Sequence, residues 1–114
     1  MVIVTGEVII NDPAKRDEII ALLAEEHELS QSRNDSISHG WYANVLEPNQ
    51  LRLYLEYENY DTLLAAEKDP ALEEFNKAFF EFVQSGALEI KDNVRRYELG
   101  NKLPPMYGTG VESS

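Results

Sequence analysis

The sequence predicts an α+β sandwich in the order β-α-β-β-α-β, a four-stranded antiparallel sheet that carries its helices on one face. Three observations lead there. Strand-like runs rich in β-branched and aromatic residues occupy 2–10, 37–46, 51–58 and part of 91–99; two long segments repeat apolar residues at helical spacing; and the pairs Asp12-Pro13 and Asp69-Pro70 stand where those two segments begin. With 114 residues, 43% of them hydrophobic, the chain suits one domain with a modest core.

Each element has its own warrant. VIVTGEVII (2–10) is apolar at odd and even positions alike and reads as a strand buried on both faces. Asp12 then offers an N-cap side chain, and Pro13 has the fixed φ that suits the first helical position. From Pro13 to about Arg33, Ile19, Leu22, Leu23 and Leu29 mark a buried stripe, with Asp17, Glu18, Glu25 and Glu28 mainly off it. SRND (32–35) ends this helix. The runs 37–46 and 51–58 form a hairpin joined by EPNQ, with Pro48 at the first corner of a type I turn. A short helix over 62–68 leads to Asp69-Pro70 and the second long helix, whose stripe is Leu72, Phe75, Phe79 and Phe82 and whose end is Gly86, a left-handed cap. Phe80 falls off that stripe and is assigned to a partner chain or the tail. The domain therefore spans 1–99, and residues 100–114, with Gly, Pro and Ser but no periodicity, read as an extended or mobile tail.

Charge and composition narrow the function. Lys and Arg total 10 against 21 Asp and Glu, a net charge of −11 that repels phosphate backbones and anionic lipids, so neither nucleic acid nor a membrane surface is an expected partner. The absence of cysteine removes disulfides, thiolate nucleophiles and Cys-containing zinc sites. No apolar run approaches the roughly 20 residues of a membrane span, and MVIVTGEV lacks the pattern of a signal peptide, so a soluble, cytoplasmic protein is expected. The first strand is apolar on both sides, and Tyr54 lies opposite Leu51, Leu53 and Leu55, so the helix-free sheet face is expected to be covered as well. A second copy, sheet against sheet at about 10 Å, is the economical cover and gives a homodimer.

Candidate chemistry centres on SISHGWYANV (36–45). With a three-residue hairpin loop, the odd positions of this strand share a face with Leu51, Leu53, Leu55 and Tyr57, which brings His39, Trp41 and Tyr57 together beneath the helices. A two-residue loop would turn His39 to the other side. Histidine, with an ordinary pKa of about 6.5, is the natural base near neutrality, so His39 is the candidate catalytic residue. Trp41 and Tyr57 offer stacking faces, and the Tyr57 phenol or the Asn59 amide offers a hydrogen bond to a substrate oxygen. The competing reading makes His39 a packed strand residue. His27, between Glu26 and Glu28 at the edge of the helical stripe, reads as a solvated histidine, and Glu56 as the ion-pair partner of Arg52. No metal-ligand spacing appears, and neither a metal nor another cofactor is expected.

The order of elements, together with LEPNQLRLYLEYENYDTLLAAEKDPALEEF (46–75), resembles the antibiotic biosynthesis monooxygenases, quinol monooxygenase-like members of the dimeric α+β-barrel superfamily, over residues 1–99. Glu58, Asn59 and Asp61 match that family's polar helix start, and Pro70 matches the proline opening its next helix. Leu55, Tyr57 and Ala66 stand where the family commonly has Glu, Trp and a helical His, and Asp35 where a glycine often precedes the second strand. The resemblance implies a ferredoxin-like fold, a homodimer, and cofactor-independent oxidation of an aromatic or quinol-type molecule by O2; Ala66 argues against the haem-degrading version. A non-catalytic dimeric barrel that binds a small apolar ligand is the alternative, and a proton-shifting isomerase on the same scaffold a third. An enclosed pocket of roughly a few hundred Å³ lined by His39, Trp41 and Tyr57 would favour oxidation, and a filled core the alternative.

Overall fold

The computed structural model describes residues 1–98 and 101–103, with side chains described through residue 91. The chain runs β1 (Val2–Ile10), a 3₁₀ turn (Pro13–Lys15), α1 (Arg16–Arg33), β2 (Ser38–Ala43), β3 (Gln50–Tyr57), α2 (Tyr60–Glu67), α3 (Pro70–Ser85), β4 (Leu88–Glu98) and β5 (Asn101–Leu103). Local chemistry sets most of the boundaries. Asp12 accepts from the Ala14 amide and Asp69 from the Ala71 amide, both at 2.9 Å, so both Asp-Pro pairs are helix starts. Asn34 (φ 54°) and Gly86 (φ 86°) end α1 and α3 in the left-handed region, where Gly and Asn cost least. The short helix begins at Tyr60 rather than at residue 62, because the Asn59 side-chain oxygen accepts from both the amide and the hydroxyl of Thr62 at 2.9 Å.

The strands form one antiparallel sheet in the order β2-β3-β1-β4-β5. Its first four members are the expected ferredoxin-like sheet. β5 falls in the segment read as a tail and pairs with Arg96–Glu98 of β4; the rest of that segment lies outside the described residues. β2 is shorter than the expected 37–46. Asn44 ends it: its side-chain oxygen accepts from the Leu46 amide at 2.8 Å and its carbonyl from Glu47, which leaves Val45 and Leu46 exposed at the hairpin tip. The Gln50 amide then donates to Glu47, putting Pro48 at the first corner of the turn. The Asn44 amide still donates to the Gln50 carbonyl, an odd number of residues is enclosed, and face parity survives: His39 lies opposite Leu55 and Trp41 opposite Leu53.

Packing follows from that parity. On β1 Val2, Val4, Val8 and Ile10 are buried, as are Leu51, Leu53, Leu55 and Tyr57 on β3, all beneath the helices. Ile3, Thr5, Glu7 and Ile9 are only half-buried, so a single chain does not bury β1 on both faces; the helices cover one side alone. On the open face Arg52 pairs with Glu7, its cross-strand neighbour, at 3.4 Å rather than with Glu56, which accepts from the Tyr54 hydroxyl at 2.7 Å. Phe80 turns inward instead of outward, edge-on to Phe79 with ring centroids 5.4 Å apart. Along α1 the buried positions are Ile19, Leu23, Glu26 and Ser30. That spacing is a core stripe whose second half is polar. Burying an aliphatic such as Ile19 contributes about 1.5–3 kcal/mol, whereas burying Glu26 demands partners. Among the described residues no helix is long and apolar enough to cross a membrane.

Candidate active site

The partners of Glu26 come from β2, the edge strand beside α1. His39 Nε2 lies 2.7 Å from both Glu26 carboxylate oxygens, and Trp41 Nε1 donates to Oε1 at 2.9 Å. His39 and Trp41 are two residues apart on one face of the strand, which aims both donors at one carboxylate. The pair is enclosed: Glu26 and His39 are each 6% exposed. A buried carboxylate is tolerated when its oxygens accept from well-placed donors, and two converge here. On its other side His39 Nδ1 lies 2.8 Å from Nδ1 of His27, with the rings tilted by 40°. Glu26, His39 and His27 thus form one continuous hydrogen-bonded row.

Two spaces flank this row. Between α1 and β2 lies an open cleft of about 500 Å³, bordered by Arg16, Ile20, His27, His39, Trp41 and Tyr42. Arg16 is held at one end by donating to Asn49 Oδ1 at 2.6 Å. Gly40 makes room for the Tyr42 ring, since a Cβ there would come within 2.7 Å of it. Between the helices and the sheet lies a second cavity of about 60 Å³, bordered by Glu26, Arg33, Trp41, Leu55, Tyr57 and Ala66 among others. Burial, reinforced by Asp35, pushes the Tyr57 phenol above its ordinary range, while Arg33 acts in the opposite sense. Arg33 also donates to Asp35 at 3.1 Å and to the helix cap Asp69 at 3.2 Å, which ties the end of α1 to the start of α3.

The architecture is shared with several solved proteins. A candidate antibiotic biosynthesis monooxygenase from Deinococcus radiodurans superimposes with a TM-score of 0.72 at 13% identity, covering 93% of this chain and 99% of its own. The chain has the antibiotic biosynthesis monooxygenase fold. A candidate antibiotic biosynthesis monooxygenase from Chloroflexus aurantiacus matches with a TM-score of 0.60 at 14% identity, over 89% of this chain and 96% of its own. A conserved protein from Methanosarcina mazei Go1 gives 0.67 at 17% identity, over 86% and 92%. No family model and no curated protein sequence matches the chain.

Within this fold the expected site residues separate. His39 and Trp41 are brought together by Glu26 and border the cleft; Trp41 and Tyr57 border the small cavity, so Trp41 is the wall between the two spaces. Neither of these two spaces is bordered by His39, Trp41 and Tyr57 together. Asn59 is exposed and its amide oxygen is engaged in capping α2. His27, read from sequence as a solvated histidine, is half-buried and bonded to His39. Sequence reasoning also passed over Glu26. The available signal was its spacing from Ile19 and Leu23, which puts a carboxylate inside an apolar stripe, one residue before a histidine. Among the described residues no group of three or more His, Cys, Asp or Glu is arranged to hold a metal ion.

Proposed function

We propose that the chain is a cofactor-independent monooxygenase that oxidises an aromatic or quinol-type small molecule with O2 in the cleft between α1 and β2. The observation that carries this reading is the buried Glu26–His39 pair at the wall of a cleft of about 500 Å³, a size within the range of small-molecule sites. A quinol that loses an O–H proton becomes electron-rich enough to give one electron to O2. Recombination of the resulting radical pair forms a carbon–oxygen bond, and loss of water leaves a hydroxyquinone. The sum is quinol plus O2 giving hydroxyquinone plus H2O, with all the electrons drawn from the substrate. The protein's task is to take a proton, hold the ring and limit access of water. The Glu26–His39 pair supplies the acid–base centre, and Trp41 with Ile20 and Leu23 supplies the apolar wall.

The same proposal includes a cytoplasmic setting and a homodimer built through the open sheet face, where Ile3, Ile9 and Tyr54 stay partly exposed in the single chain. The small volume of the cavity between helices and sheet favours a second reading, a non-catalytic barrel that binds an apolar ligand in the cleft. Oxygen-electrode assays with a panel of quinols and polycyclic phenols separate the two. The first reading predicts uptake by the wild type that falls by about 10²-fold or more in a folded His39→Gln variant. Ligand binding without uptake supports the second, and equal uptake by both proteins removes His39 from the chemistry.

A further inference from the structure

We propose that Glu26, His39 and His27 act as a proton wire between the small cavity and the open cleft, with Nε2 of His27 as the end that exchanges protons with a ligand. The proposal rests on the reading of the cleft as the oxidation site. His39 is the wrong group to meet a ligand directly: its side chain has 0% exposure, and both ring nitrogens are engaged, Nε2 by Glu26 and Nδ1 by His27. His27, half-buried on the cleft wall, makes no other hydrogen bond among the described residues.

With Glu26 ionised and His39 neutral, donor and acceptor matching gives one arrangement. Ionised Glu26 only accepts, so His39 carries its proton on Nε2 and donates it. A neutral His39 then has its lone pair on Nδ1. The 2.8 Å contact requires His27 to carry a proton on its own Nδ1, which leaves the His27 lone pair on Nε2. When a ligand O–H gives its proton to His27 Nε2, the proton on His27 Nδ1 passes to His39 Nδ1, and the proton on His39 Nε2 passes to Glu26. Three protons move one place each. The O–H bond of the ligand is broken, an O–H bond on Glu26 is formed, and both imidazoles end neutral with their tautomers reversed. Every bond in the row survives with its polarity inverted: Glu26 now donates to His39, and His39 to His27. The negative charge has left a buried carboxylate for the ligand oxygen, where it promotes electron transfer to O2. Trp41 Nε1 still donates to Glu26 Oε1, which keeps the carboxyl in place during the exchange.

Other ionisable groups face this row. Arg16 and Tyr42 border the cleft, and Glu7, Arg33, Tyr57 and Glu67 border the cavity on the far side of Glu26. Arg16 borders the cleft and Arg33 the cavity, so a ligand anion in the cleft has the Arg16 cation within the same space.

The test reads tautomers as well as rates. Nitrogen-15 NMR of the histidine rings in the wild-type protein is expected to place the His27 proton on Nδ1 and the His39 proton on Nε2 at neutral pH. Quinol-dependent oxygen uptake in a folded His27→Gln variant is expected to fall by about 10²-fold and to recover in part on addition of free imidazole. A His27 ring protonated on Nε2 alone overturns the wire, as does uptake in His27→Gln equal to wild type. If the wild type consumes no oxygen, the oxidation reading falls and the tautomers alone decide: the expected pair supports the wire, and any other pair overturns it. If uptake is strong but the tautomers are reversed, the wire falls and the oxidation reading stands.

Discussion

His39 and Glu26 face each other across the gap between β2 and α1, with Nε2 of the imidazole 2.7 Å from both carboxylate oxygens. Neither residue would be stable at that depth alone. The pair, with Trp41 as second donor, turns an unfavourable burial into a fixed acid–base unit.

Removal of the carboxylate should therefore cost more than a typical substitution on a helix. Glu26→Ala leaves the buried His39 and the half-buried Trp41 donors without an acceptor, and its expected cost is about 3 kcal/mol in urea unfolding. Glu26→Gln retains one acceptor oxygen and should cost clearly less. Equal stability of Glu26→Ala and the wild type would mean that the donors find water instead.

Trp41 is the one tryptophan in the chain, so its fluorescence reports on the site without background from other indoles. Ligands that enter the cleft are expected to quench or shift its emission saturably. Trp41→Phe keeps an aromatic wall but loses the donor to Glu26, with an expected stability loss of about 1–2 kcal/mol by chemical denaturation. Turnover of a quinol with no change in Trp41 emission would place the substrate elsewhere.

The start of α3 sets an acid-side dependence. The Ala71 amide, and then Arg33, hold the Asp69 carboxyl below its ordinary range, against an opposing effect of burial. A carboxyl lowered in the folded state contributes stability that is fully present above its unfolded pKa and is lost as pH falls through the folded value. The Tm difference between wild type and Asp69→Ala should therefore be largest near neutrality and shrink on acidification. A difference that stays constant with pH would remove the ionised cap from the account.

Tyr57 sets the alkaline limit. Its phenol is raised chiefly by burial, and a group raised in the folded state contributes stability that is present below the unfolded pKa and lost as pH rises through the folded value. Stability should decline above about pH 10, the ordinary phenol value, and Tyr57→Phe should decline less over the same interval. Alkaline melts of the two proteins make the comparison.

Much of this architecture is legible in the sequence because the signals are local. Asp12-Pro13, Asp69-Pro70 and Gly86 mark helix ends through contacts within a few residues, and the parity of the hairpin survives even though Asn44 ends β2 early. The site is less legible because it is tertiary. Whether Glu26 is a solvated carboxylate or a buried acceptor depends on His39 and Trp41 arriving from another element, and pattern rules that place charges outside pass over it. His27 was hidden for the same reason. The side-chain oxygen of Asn59, a residue read as a ligand contact, serves the local demand for a helix cap.

The proposed homodimer carries its own expectation. Sedimentation at micromolar protein should give twice the chain mass, and Ile9→Glu on the open sheet face should shift it to the monomer. A wild type that sediments as a monomer would contradict the sheet-to-sheet pairing.

The most direct test of the central claim is turnover under isotopically heavy dioxygen with a quinol substrate, followed by mass analysis of the product. One heavy oxygen atom is expected in each product molecule, the other in water, with product formation lost in His39→Gln. Product without heavy oxygen, or equal yields from wild type and His39→Gln, would contradict it.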